Sequence, residues 1–335
     1  MKAAVVEKPG ILVVKEVPDP KNNADEVLLK VLSSSICNAT DNHILHGKFE
    51  GNHDFYPQIL GHEVFGEVMD VGANVKGLQR GERLVLYTSR GAFCEYVTVN
   101  PEVDVYAKVP DSLPIREGPL CEMFDGAYLG AVYPARIAAT DDVLIVGQGP
   151  MGLTTAAAAR LTARSVATVD FHENRLRKSV EMGSDYAYDR SRLSSDEIAE
   201  RVWQNTGGVD LVIMCIAEDR SKELDAFDMG VKALRDNGRM TGLKVDVKGI
   251  KENHRIDPHL LLKKNIKFRR FLEDVYQNKR IMWDAFQAIV NKVIDGTIDL
   301  GSLITHEITL TELPHALDLC ENKQDEVIKV VVYPN

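Results

Sequence analysis

Cys37, Thr40, Asp41 and His43 lie together in the stretch SSICNATDNH. His62 and Glu63 are neighbours in PQILGHEVFGEV, and Glu122 sits in the apolar run PLCEMFDGAY. Cysteine, histidine and carboxylate side chains hold zinc, and three protein ligands plus a position left to water describe a catalytic site. These residues are spread along the chain, so spacing alone is a weak signal, and a His–Glu pair in a buried strand also has an ordinary structural reading. Neighbours on a flat strand point to opposite faces. His62 and Glu63 serve one site only if the chain bends or one acts through the other, and Gly61 just before them supplies the freedom for a bend.

A second constellation occurs in VLIVGQGPMG, where Gly147, Gly149 and Gly152 form G-x-G-x-x-G with Pro150 and Met151 inside it. It follows a buried-type strand and opens an alanine-rich helix, the context in which this spacing reads as a dinucleotide loop. Gly147 allows the tight turn, Gly149 lets the backbone approach a pyrophosphate, and Gly152 permits close helix–strand packing. The first amides of the helix then face the phosphates. Asp170 ends the next strand, where a carboxylate accepts from both ribose hydroxyls and repels a 2′-phosphate, so NAD is expected over NADP. Arg175 lies nearby, could cover the adenine or contact the ribose, and weighs slightly against that preference.

Two kinds of element must carry these residues. The first third holds short β-rich runs, among them ILVVKEV, EVLLKVLSSSI, HEVFGEVMDVG, RLVLYT and CEYVTV, separated by Gly, Pro, Asn and Asp as in an irregular antiparallel barrel. From Asp142, strands DVLIVG, SVATVD, DYAYD, VDLVIMCI and RMTGLK alternate with helical segments, SKELDAFDMGVKALRDNG being the last, which predicts a parallel sheet with helices on both faces. A helix, NKRIMWDAFQAIVNKVIDG, and a last strand, EVIKVVVYP, close the chain. The expected α/β architecture is a β-barrel domain over 1–137, a doubly wound domain over 138–273, and a segment over 274–335 that rejoins the first. A length of 335 residues suits two cores, and 44% hydrophobic with 27% charged residues is ordinary for a globular chain. The net charge of -10 argues against nucleic acid or an anionic membrane as partner. No apolar run is long enough to span a bilayer, and no signal-peptide pattern opens the chain. Five scattered cysteines form no disulfide framework, which points to a reducing compartment, the cytoplasm.

GHEVFGEV, GAFCEYV and VGQGPMG, in that order, make the chain resemble the zinc-dependent medium-chain dehydrogenase/reductase superfamily over nearly its whole length, most closely the sorbitol, threonine and other polyol dehydrogenases. The resemblance implies a GroES-like barrel with a Rossmann domain, one catalytic zinc and NAD. It places the metal on Cys37, His62 and Glu63, with Glu122 reaching it directly or through water. The implied reaction is oxidation of a secondary alcohol, a polyol, sugar or related small hydroxylated substrate, with hydride passing to NAD and zinc acting as Lewis acid on the substrate oxygen. Thr40 would receive the proton and His43 pass it to solvent, although His43 also reads as a surface imidazole; Asp41 would orient His62. Thr241 and Leu243 fall at a nicotinamide-facing strand end, and Arg269 and Arg270 either border the substrate or form a solvated face. A homodimer or homotetramer is implied as well. Two departures stand out. CNATD has two residues between the cysteine and the Thr-Asp pair where most relatives have one, read here as a bulge, and Cys94 stands alone where relatives carry a four-cysteine structural zinc lobe. A zinc-free quinone or enal reductase, or a non-catalytic dinucleotide-binding relative, are the competing readings.

Overall fold

The β-rich runs of the first third become eight strands: β1 (Lys2–Lys8), β2 (Ile11–Glu16), β3 (Val27–Ser35), β4 (Gln58–Ile59), β5 (Glu63–Val71), β6 (Arg83–Tyr87), β7 (Tyr96–Val99) and β8 (Tyr106–Val109). The alternating region contributes β9 (Asp142–Val146), β10 (Ser165–Asp170), β11 (Tyr186–Asp189), β12 (Val209–Met214), β13 (Leu234–Gly242) and β14 (Lys267–Phe268), and the chain ends with β15 (Ile304–Thr309) and β16 (Lys329–Tyr333). The structure, a computed structural model, describes residues 1–48, 55–88, 90–216, 224–242, 258–268 and 279–335. They fall into two units, Met1–Met123 with Asn278–Asn335, and Phe124–Gln277. The first boundary lies inside the helix Leu120–Ala127, earlier than the change in sequence pattern at 137, and the second lies just beyond 273.

In the first unit, β2-β1-β4 form a three-stranded antiparallel sheet, and β15-β16-β3-β5-β6-β8, with β7 on β3, form a seven-stranded mixed sheet. The bridge between Ala3 and Cys94 and the hydrogen bond from the Ala4 amide to the Phe93 carbonyl stitch the two together. Alternation in β3 sends Val27, Leu29 and Val31 into a core shared with Val64, Val68, Leu84 and Leu86. β16 pairs parallel to β15 and antiparallel to β3, which brings the end of the chain beside Ser34 and Ser35.

The second unit has a six-stranded parallel sheet in the order β11-β10-β9-β12-β13-β14. The order reverses between β9 and β12, the topological switch at which doubly wound sheets bind ligands. β9 and β12 are apolar and almost wholly buried, as strands covered on both faces must be. The helical reading of SKELDAFDMGVKALRDNG ran too far, because the helix Leu224–Ala233 stops and β13 begins at Leu234. The pairing of β13 with β12 skips from Val209–Leu234 to Leu211–Arg239, so the RDNG residues form a bulge in which Asn237 takes a φ of 63°. Arg235 pins the bulge by donating to Asp142, Asp210 and the carbonyls of Thr206 and Gly207. A tertiary anchor thus overrides a local helical preference.

Candidate active site

The bend expected at Gly61 is present. Its φ is 93°, and a Cβ there would lie 2.9 Å from the Phe93 ring, so both conformation and space call for glycine. The turn puts His62 just ahead of β5, with its carbonyl accepting from the Thr88 amide, and Glu63 as the first residue of the strand. Cys37 follows β3, and ligand atoms of Cys37, His62 and Glu63 lie within 4.8 Å of one another. Cys37 is partly buried, while His62 is 7% and Glu63 1% exposed.

The extra residue in CNATD is not a strand bulge. Asn38 and Ala39 form a helical turn, in which the Asp41 amide donates to the Cys37 carbonyl, and this turn opens the helix Thr40–Leu45. Its effect is to bring the fully buried Asp41 back onto both ligands. Asp41 Oδ2 accepts from the Cys37 amide at 2.9 Å, and Oδ1 lies 3.4 Å from His62 Nδ1, an ion-pair distance that is long for a hydrogen bond. With Nδ1 turned to Asp41, Nε2 is the ring nitrogen left for a metal. Thr40 and His43 sit partly buried on this same helix.

Two residues missed at the sequence level complete the cluster. Lys329 on β16 is 1% exposed, with Nζ 2.9 Å from Glu63 Oε1, 2.6 Å from Oε2 and 2.8 Å from the Ile36 carbonyl. The buried Ser35 hydroxyl donates to Glu63 Oε2. The available signals were a lone cation inside VIKVVV and a run of three serines inside an apolar strand. Glu63 is therefore held in a buried ion pair with a cation from the far end of the chain.

The charges at this spot favour a further cation. Burial works against the His62 imidazolium, but Asp41 and Cys37 outweigh it and raise its pKa well above the ordinary value. The Glu122 pKa is pushed up to about 7, by the protein packed around its carboxyl and then by the Glu63 charge, with His62 and Lys329 opposing. By surface area Glu122 keeps some contact with solvent, so its carboxyl is crowded rather than sealed off. Zinc bond lengths place ligand atoms across a tetrahedral centre roughly 3.2–3.8 Å apart. The cluster needs only a small contraction to reach that, so the residues present fit zinc. Tyr87 stands beside them, 46% exposed and with its ring centroid 5.4 Å from that of His62. Among the described residues, Cys37, His62 and Glu63 are the group brought together in this way. Cys94 is buried, donates to the Tyr96 carbonyl, and has its thiol pKa pushed up to about 12 by burial.

In the second unit, Gly147 has a φ of 92°, and a Cβ on Gly152 would lie 1.8 Å from the Gly147 carbonyl oxygen. Around Gly149 a Cβ would meet nothing within 4 Å, so the loop is open on that side. Gly149 caps the helix Pro150–Arg160, with Pro150 and Met151 in its first turn. Asp170 ends β10 at 7% exposure, its oxygens accepting from the Gln148 amide at 2.6 Å and the His172 amide at 2.9 Å. These bonds fix the carboxylate against the glycine loop and leave lone pairs for other donors. Arg175 is 5% exposed in the helix Glu173–Glu181, and Thr241 is 1% exposed near the end of β13 with no hydrogen-bond partner for Oγ1 among the described residues. Leu243, Arg269 and Arg270 lie outside the described residues.

Residues 23–111 match the alcohol dehydrogenase GroES-like domain. The chain is 30% identical to an uncharacterized zinc-type alcohol dehydrogenase-like protein of Haemophilus influenzae, over 62% of this chain and 70% of that one. It is 25% identical to a sorbitol dehydrogenase of Bacillus subtilis over 100% of this chain and 98% of that protein. The crystal structure of 2R,3R-butanediol dehydrogenase from Bacillus subtilis superposes with a TM-score of 0.84 at 22% identity, covering 100% of this chain and 99% of the other. A GroES-like unit carrying the metal-type cluster and a Rossmann unit carrying the glycine loop define a medium-chain dehydrogenase. The chain belongs to the zinc-type alcohol dehydrogenases of that superfamily and is an alcohol dehydrogenase.

Proposed function

We propose that the protein oxidises a secondary alcohol of the polyol or sugar class to its carbonyl with one zinc per chain and NAD. The observation that carries the reading is the convergence of Cys37, His62 and Glu63 within 4.8 Å. Zinc held by these residues, with Glu122 as a further oxygen ligand or a partner through water, supplies Lewis acidity for an alcohol, and NAD supplies the hydride acceptor. Asp41 holds the Cys37 backbone and faces the His62 ring, and Lys329 pairs with Glu63 in the interior. Thr40 takes the proton that leaves the substrate hydroxyl, and His43 on the same helix hands it to solvent. Asp170 binds the adenosine ribose and its charge disfavours a 2′-phosphate, which supports NAD over NADP. Thr241 lies toward the nicotinamide, and the chain works as a cytoplasmic homodimer or homotetramer, the location fitting its five free cysteines.

The test is turnover. Wild type and Cys37→Ser are assayed for reduced cofactor formation against polyols, sugars and simple secondary alcohols, with NAD and NADP in parallel. The proposal expects wild-type activity with NAD on at least one hydroxylated substrate and a loss of more than about 100-fold in the variant. Equal rates in the two proteins would refute it.

A further inference from the structure

We infer that Tyr87 is a specificity-determining residue, its hydroxyl hydrogen-bonding the alcohol group on the carbon next to the one being oxidised; this rests on the proposal that Cys37, His62 and Glu63 present an alcohol to zinc. A half-exposed tyrosine is ordinary on a protein surface. Tyr87 is set apart by where it stands. It ends β6 directly opposite Glu63 of β5, and paired residues of antiparallel strands send their side chains to the same face of the sheet. The next residue, Thr88, donates its amide to the His62 carbonyl at 3.0 Å. The strand end that carries Tyr87 is therefore fastened to the turn that carries His62, and the two rings lie 5.4 Å apart at 52°.

Tyr87 is also on the open side of the cluster. His62 and Glu63 are buried, whereas nearly half of Tyr87 meets solvent. The buried groups here are engaged with one another, Asp41 accepting from the Cys37 amide and Ser35 and Lys329 donating to Glu63. The Tyr87 hydroxyl has no hydrogen-bond partner among the described residues. Its pKa is raised, chiefly by the protein packed around the phenol, with the His62 charge opposing and those of Glu122 and Cys37 adding. The result is a neutral hydroxyl, able to donate and to accept, standing among the side chains of the cluster with nothing yet bound to it.

A polyol held through one oxygen carries its next hydroxyl on the adjacent carbon. On entering the site that hydroxyl gives up water and needs a partner in the protein. A phenol suits the task, because its ring can lie against the C–H groups of the substrate while its hydroxyl meets the substrate's own. A carboxylate or an ammonium in the same place would add a charge beside the metal ligands; a phenol does not. Sites whose hydrogen-bonding groups are sealed from water discriminate by about 10⁴-fold or more, since an analogue lacking the hydroxyl leaves them unpaired. Tyr87 is half-exposed and water can replace the missing hydroxyl, so the discrimination here is smaller, of the size of one ordinary hydrogen bond.

A matched pair of alcohols tests this. 1,2-Propanediol and 2-propanol share a three-carbon chain with a secondary hydroxyl in the middle, and only the diol has a hydroxyl on the neighbouring carbon. Wild type should favour the diol in kcat/KM, and in Tyr87→Phe the ratio of the two values should fall by about 5- to 20-fold. Calorimetric titration of each alcohol into protein carrying zinc and NADH, in which no hydride can pass, should show the ratio of affinities falling by a similar factor. Phenylalanine keeps the ring beside His62, so zinc content and the circular dichroism spectrum should match wild type. Wild type with no preference for the diol, or ratios in Tyr87→Phe within twofold of wild type, would overturn the assignment while leaving the dehydrogenase reading in place. Wild type that turns over neither these nor any other alcohol would overturn that reading and the role of Tyr87 with it.

Discussion

Replacing Lys329 with methionine removes the cation that both oxygens of Glu63 face. Nζ sits 2.9 and 2.6 Å from those oxygens and 2.8 Å from the Ile36 carbonyl, and both side chains are about 2% exposed. Methionine is one atom shorter than lysine and of similar bulk, so the change removes the charge and its hydrogen bonds with little loss of packing and leaves a carboxylate in the interior with only the Ser35 hydroxyl for compensation. Breaking a buried pair from one side costs about 3–5 kcal/mol. With an m-value of about 2 kcal/mol per molar urea, that moves the midpoint of the unit holding β16 down by about 1.5–2.5 M. Urea titrations after chelation, followed by circular dichroism and by intrinsic fluorescence so that the two units can be separated, measure it. Lys329→Met with Glu63→Gln should recover at least half of the loss, because no charge then remains buried. The same titrations with zinc added should show a smaller loss, since a dication beside Glu63 replaces part of the missing charge. Burial opposes the Lys329 charge, but Glu63 and Cys37 outweigh it and its pKa is raised. Its contribution is then fully present below the unfolded-state pKa near 10.5 and is lost only as pH rises through the folded value, so the experiment at neutral pH sees all of it. A midpoint shift under about 0.5 M, or a double variant no more stable than the single one, would refute the reasoning.

Other substitutions probe the second unit. Gly152→Ala puts a Cβ 1.8 Å from the Gly147 carbonyl oxygen, so the loop must move; NADH affinity should fall by more than about 100-fold, measured by fluorescence titration, while the unit stays folded. Asp142 is 3% exposed, and although burial opposes its charge, Arg164, Ser165 and Arg235 hold its pKa down at about 2. Its contribution of about 2 kcal/mol is present above pH 4 and is lost as pH falls toward 2, so the stability gap between wild type and Asp142→Asn should shrink toward zero over that range. A gap that stays constant down to pH 2 would show that the pair does not carry it.

Where local pattern and tertiary fold agree, the sequence could be read directly. VLIVGQGPMG followed by SVATVD is a strand, a glycine turn, a helix and a second strand ending in Asp170, and each step follows from periodicity or backbone sterics. The bend at Gly61 was legible for a similar reason, because two chemical residues in succession on a strand demand one. Long-range partners were not legible. Lys329 is 266 positions from Glu63, and nothing in EVIKVVVYP distinguishes a buried ion pair from an edge-strand lysine pointing at water. The turn at Asn38 and Ala39 was misread as a bulge because the sequence does not show that β3 has already ended at Ser35. The early start of β13 depends on Arg235 reaching Asp142, a contact that exists only once the sheet is assembled.

Catalysis of the proposed kind requires that Cys37, His62 and Glu63 be a metal site rather than a polar knot in the barrel. Metal content by mass spectrometry on purified, zinc-supplemented wild type and Cys37→Ser tests that most directly. The expected result is about one zinc per chain in wild type and a stoichiometry well below that in the variant. Wild type that carries no zinc, or a variant that carries as much as wild type, would contradict it.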